Sequence, residues 1–152
     1  MLWKESYRTK IIRDLKCPES QIVTLAGVPY ESSIQVWIAG FGFECLTEQS
    51  VWWRLFESDF AGDQRVRKMF ILDLVNKQVM NEVQALVAPS EFSRISFIED
   101  QRQVWTELIK PDTQHRGFAA IFENGQLPLV MIGPPTEDAW EEFSNFWRLR
   151  TL

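Results

Sequence analysis

Two cysteines, one histidine and a few charged residues near them are the chain's stock of reactive groups. Cys45 stands just before a predicted helix that opens at Thr47-Glu48. N–H groups and the dipole at a helix start favour a thiolate there. Glu44, next in the chain, opposes one through like-charge repulsion. A thiolate so placed could attack the terminal oxygen of a peroxide and become a sulfenic acid. The other reading of Cys45 is a small buried hydrophobe, the common fate of an unbridged cysteine. Cys17, beside Pro18, could resolve a sulfenic acid as a disulfide, or be an incidental thiol. His115 ends a polar loop and reads as an ordinary exposed imidazole. Glu48 suits a helix start, and Arg116 opens a strand.

Other chemistries lack their residues. There is no Gly-rich phosphate loop, no Gly-x-Ser-x-Gly elbow and no metal-spaced His/Cys set, so no metal and no cofactor is expected. Asp73 and Asp100 fall near strand ends, but spacing alone does not pair them. Arg65-Val-Arg-Lys68 reads as a solvated basic turn before a strand. The net charge of -5 disfavours nucleic acid and anionic membrane as partners. With 152 residues, 45% of them hydrophobic, one domain is expected over 1–152, with 1–20 as an N-terminal extension. The charged start, MLWKESYRTKIIRDLK, lacks the apolar region of a secretory leader, and no apolar run is long enough to span a bilayer. A cytoplasmic location is the expectation.

The elements that must position Cys45 follow from periodicity. Residues 1–16 read as a weak helix, broken at Cys17-Pro18. Strands are predicted at Gln21–Leu25, Ser33–Ala39, Met69–Val75 and Arg94–Ile98. Helices are predicted from Thr47 to about Phe60, after Asn76 with Val79, Met80, Val83, Leu86 and Val87 inward, and after Asp100 with Val104, Trp105, Leu108 and Ile109 inward. Asn124-Gly125 joins the strands Gly117–Glu123 and Gln126–Ile132, because a type I′ turn needs two positive φ angles. Pro128 places the second strand at an edge or marks a bulge. Thr136 caps a last helix with Ala139, Trp140, Phe143, Phe146 and Trp147 on one face. Alternating strands and helices give an α/β fold, a mixed sheet with helices on both faces, the hairpin adding antiparallel strands at one edge.

This order, closing with a β-hairpin and a helix, resembles the thioredoxin fold in its extended form. Ile22-Val-Thr-Leu-Ala-Gly-Val28 followed by Ile34-Gln-Val-Trp-Ile-Ala-Gly-Phe41 resembles the opening of peroxiredoxins and membrane-anchored thioredoxin-like reductases. Phe41-Gly-Phe-Glu-Cys-Leu-Thr-Glu48 is similar to the peroxiredoxin loop Phe-Thr-x-x-Cys-x-Thr-Glu. Arg116-Gly-Phe-Ala-Ala-Ile-Phe-Glu-Asn-Gly-Gln-Leu127 is similar to that family's segment Arg-Gly-x-Phe-x-Ile-Asp-x-x-Gly-x-Ile. The resemblance implies a thioredoxin-like domain with Cys45 as nucleophile and Arg116 as its electrostatic partner, acting on a peroxide or disulfide. The departures imply a degenerate site. Gly42 stands where peroxiredoxins place a Thr, their Pro is missing, the Cys-x-x-Cys slot holds only Cys45, and the cis-Pro before the hairpin has no counterpart.

Two functions therefore stand side by side: a binding or assembly module with little or no redox activity, and a Cys45-dependent peroxidase of one-cysteine type. Seven Trp, with Trp3 and Tyr7 outside the core pattern, lead us to expect a protein partner or a dimer formed through exposed aromatics. A Gly42→Thr change is expected to raise Cys45 reactivity, provided φ at 42 is negative.

Overall fold

The computed structural model describes residues 9–43, 46–111 and 115–152. Glu44, Cys45, Trp3 and Tyr7 lie outside them, and with them the placement of the expected nucleophile.

The described strands are β1 (Lys10–Lys16), β2 (Ile22–Thr24), β3 (Ile34–Phe41), β4 (Val66–Leu72), β5 (Ile95–Glu99), β6 (Gly117–Glu123) and β7 (Gln126–Ile132). The helices are α1 (Leu46–Asp59), α2 (Lys77–Leu86), α3 (Val104–Ile109) and α4 (Glu137–Arg150). One mixed sheet runs in the order β1-β7-β6-β3-β4-β5-β2. β3, β4 and β5 are parallel, and the remaining pairings are antiparallel. This is an α/β architecture, a mixed sheet with helices on both faces.

Period-two alternation decides which residues meet which helix. Val36 and Ile38 of β3 face α1 and α4, where Trp52, Phe56, Phe143 and Trp147 are fully buried. Trp37, Ala39 and Phe41 point the other way, toward Trp105 and Ile109 of α3. Phe70, Ile95 and Phe97 pack against Val83 of α2. Ring pairs knit the first layer: Phe56 stands edge-on to Trp140 at 4.9 Å between centroids and to Phe143 at 5.5 Å.

Local signals behave as their chemistry requires. Asn124 and Gly125 adopt φ of 50° and 80°, the two positive angles of a type I′ turn. Asn76 Oδ1 accepts from Val79 N, and Thr136 Oγ1 accepts from Ala139 N. Asp100 accepts from Trp105 N and Thr106 N, holding the start of α3 from beyond its first turn.

Several expectations are corrected. The N-terminal helix is, over its described part, the edge strand β1, paired with β7 and so integral to the sheet. Its basic and apolar residues have no continuous helical face, and pairing satisfies the backbone instead. The hairpin is not at the edge: β6 pairs with central β3, and β1 covers β7. Pro128 therefore sits at an irregularity in an interior strand, where β6 and β7 shift register between Ile121 and Glu123. Arg65-Val-Arg-Lys68 is no solvated turn, because β4 begins at Val66. Arg67 is 1% exposed, donating to Ser93 O and Ser96 Oγ beneath the Tyr30 ring. Val104 and Leu86, expected inward, are exposed. The expected aromatic surface is not found among the described residues. Trp37, Trp52, Trp53, Trp105 and Trp147 are buried, and no aromatic is among the exposed large hydrophobics. Trp53 is covered by Lys68 and Arg94 over its ring.

Candidate functional site

Parallel strands end together, and open sheets bind ligands beyond their carboxyl ends. Here β3 ends at Phe41 and β4 at Leu72, and a cleft of about 150 Å³ opens beyond them. Gly42, Asp73, Asp100, Thr106 and Arg116 line it. The predicted site residues Gly42 and Arg116 are thus brought together in its wall.

Arg116 is fixed at the base of β6 by two bonds. Its backbone N donates to Glu48 Oε1 at 3.1 Å, and its Nε donates to Phe41 O at 3.3 Å. Phe41 N donates in turn to Arg116 O at 2.9 Å. The first turn of α1 and the start of β6 are therefore joined through a carboxylate. Glu48 is 8% exposed, far more enclosed than a residue that merely decorates a helix start. Gly117 makes that closeness practicable: a Cβ there would lie 3.0 Å from Glu48 Cβ. Neighbouring Gln49 is also buried, its Nε2 donating to Ile38 O and Met69 O across β3 and β4.

His115 is not the exposed loop residue expected. Its side chain is 20% exposed, with Nδ1 3.8 Å from Glu48 Oε2, and it borders Gly133. The sequence reading missed it because the polar loop suggested solvent. A glycine opening a strand is the signal that marks close approach at this corner.

Gly42 has φ of 71°, and its N donates to Ile71 O at 3.0 Å. A Cβ there would meet nothing within 4 Å, so space is not what favours glycine. The backbone conformation is. The condition set for a productive Gly42→Thr is not met, since a β-branched residue is strained at positive φ.

Cys17 is at the other end of the molecule. Its N donates to Gly125 O in the hairpin turn, the length of β6 away from Arg116. At ~3.3 Å per strand residue that separation is roughly 20 Å. The thiol packs against the Trp37 side of the core, and burial pushes its pKa up to about 11. The structure brings Gly42, Glu48 and Arg116 together and leaves Cys17 remote, while Glu44 and Cys45 lie outside the described residues. No group of His, Cys, Asp and Glu among the described residues could hold a metal ion. No described helix is long and apolar enough to cross a membrane.

No family model matches the sequence, and no relative is found among curated proteins. Two solved structures are similar in fold. One is StoA from Bacillus subtilis, 14% identical with a TM-score of 0.47, over 85% of this chain and 98% of that one. The other is a secreted Mycobacterium tuberculosis disulfide oxidoreductase homologous to E. coli DsbE, 15% identical with a TM-score of 0.46, over 88% of this chain and 96% of that one.

Proposed function

We propose that this chain is a thioredoxin-fold binding module with little or no redox turnover, whose protein partner engages the cleft beyond β3 and β4. The placement of Cys17 supports this most strongly. A dithiol cycle needs a second thiol within reach of the first and ionised near neutral pH. Cys17 is held at the hairpin end, and burial keeps it protonated to about pH 11. Asp73 and Asp100 at the cleft add negative potential, which opposes a thiolate.

Arg116 beside the cleft favours a second reading, a one-thiol peroxidase with Cys45 as nucleophile. In that reaction Cys45 Sγ attacks one peroxide oxygen, the O–O bond breaks, and water or an alcohol leaves. The second-order rate of Cys45 oxidation by hydrogen peroxide, mapped by mass spectrometry, separates the two. The module predicts a rate near that of free cysteine thiolate at the same pH. A rate 10² or more above it overturns the module and establishes the peroxidase, since one positioned donor is worth about that much.

A further inference from the structure

The cleft beside Arg116 does not end at Asp100. A second hollow of about 330 Å³ adjoins it, with Asp100 in both walls and Glu19, Arg102 and Val104 around it. A third, about 90 Å³, shares Glu99 with the second and reaches Gln21 and Val75. Together they follow the start of β6, the ends of β3, β4 and β5 and the start of β2, which lies beside the end of β5 because Ile22 pairs with Ile98. Four strand spacings at ~4.8 Å make a trough of about 19 Å. That is the length of roughly six residues of extended chain, and far more than a peroxide needs.

The trough has a definite chemistry. Val104 in its wall and Leu74, next in the chain to Asp73, stand exposed at 47% and 59%. Glu19 and Asp73 are exposed and have no ion-pair partner among the described residues. Glu99 is spent on structure, accepting from Val75 N and Gln101 Nε2, and Asp100 holds α3. Both still add negative potential to the walls. Arg102 and Arg116 are the cations at the trough, fewer than the acids.

We propose that the occupant of this trough is an extended peptide segment of a partner protein, with basic residues set between apolar ones. Basic side chains answer Glu19 and Asp73, and apolar ones cover Leu74 and Val104. The proposal deepens the binding-module reading and rests on it. Its test uses a peptide without cysteine, so the outcome is independent of any thiol activity.

The probe is a capped hexapeptide of two lysines, two leucines and two serines, titrated into the full chain at low salt and followed by amide chemical shifts. Shifts confined to residues around 72–75 and 99–106 are expected, with saturation below millimolar peptide. Replacing the lysines with glutamates should abolish them. The double variant Glu19→Lys, Asp73→Lys should weaken binding at least tenfold. Glu141→Lys, an equal charge change per site on the exposed face of α4, should leave affinity within twofold. Both altered trough positions are exposed, and the unchanged remainder of the amide spectrum reports that the variants fold. No shifts at millimolar peptide, equal response to the glutamate peptide, or equal loss in the Glu141 variant each overturn the proposal.

Discussion

The two ends of the sheet are built differently. At the hairpin end, Asn124-Gly125 closes the chain over two residues, Cys17 N reaches Gly125 O, and the nearby thiol is half-buried against the core. At the other end, three parallel strands stop side by side, and no hairpin joins one to the next. Residues from far apart in sequence, Gly42, Asp73, Asp100 and Arg116, converge around open volume, with Glu48 bonded to Arg116 N behind them. Local chemistry seals one end, and only the tertiary fold assembles the other. The second end is where the candidate site lies.

The contrast should show first in stability. Trp147→Ala removes a ring that is 0% exposed from the layer shared by α1 and α4. A loss of about 3–5 kcal/mol is expected, against under about 1 kcal/mol for Cys17→Ala. Denaturant midpoints at constant slope measure both, and equal shifts would mean that α4 does not carry this core.

Next comes Gly42→Thr. At φ of 71° the substitution should cost about 1–3 kcal/mol and leave Cys45 oxidation no faster. Gly42→Ala should lose about as much, which separates backbone strain from side-chain chemistry. A faster thiol in the Thr variant would show that the loop relaxes to negative φ.

A smaller effect is expected at alkaline pH. The folded-state pKa of Cys17 is raised above its ordinary value, so the stability that the buried thiol contributes is full below about pH 8.5 and declines as pH rises toward 11. The loss is under about 2 kcal/mol once partial exposure is allowed for. Cys17→Ala should flatten that part of the stability profile.

The smallest effect is at acid pH. Burial raises the pKa of Asp63, yet the three hydrogen bonds from Arg65, its charge and that of Arg94 outweigh this and hold it below the usual carboxylate value. Its contribution is present above about pH 4 and is lost as pH falls through the folded value. Asp63→Asn should remove that component of acid sensitivity.

The same contrast explains what could be read from the sequence. The turn at Asn124-Gly125, the caps at Asn76 and Thr136, and the buried strand around Met69–Leu72 were legible because each signal lies within a few residues. Element order then led to the mixed α/β sheet with helices on both faces. β1 was not legible, since its seven residues gain strand character only from pairing with β7. Arg67 looked solvated because charge usually is; its burial depends on Ser93, Ser96 and Tyr30, all distant in sequence. At the candidate site, residue types pointed to Glu48 and Arg116 but not to the bond between them, nor to His115 beside Glu48. Gly42 was read as a lost hydroxyl, whereas its positive φ gives the position a backbone reason.

The most direct test of the two-ended account is disulfide mapping of the monomer after oxidation with diamide. The account predicts no bond between Cys17 and Cys45, because Cys17 is fixed at the hairpin end and its thiol is protonated to about pH 11. A Cys17–Cys45 disulfide formed within one folded chain would contradict it, placing both thiols in a single redox site.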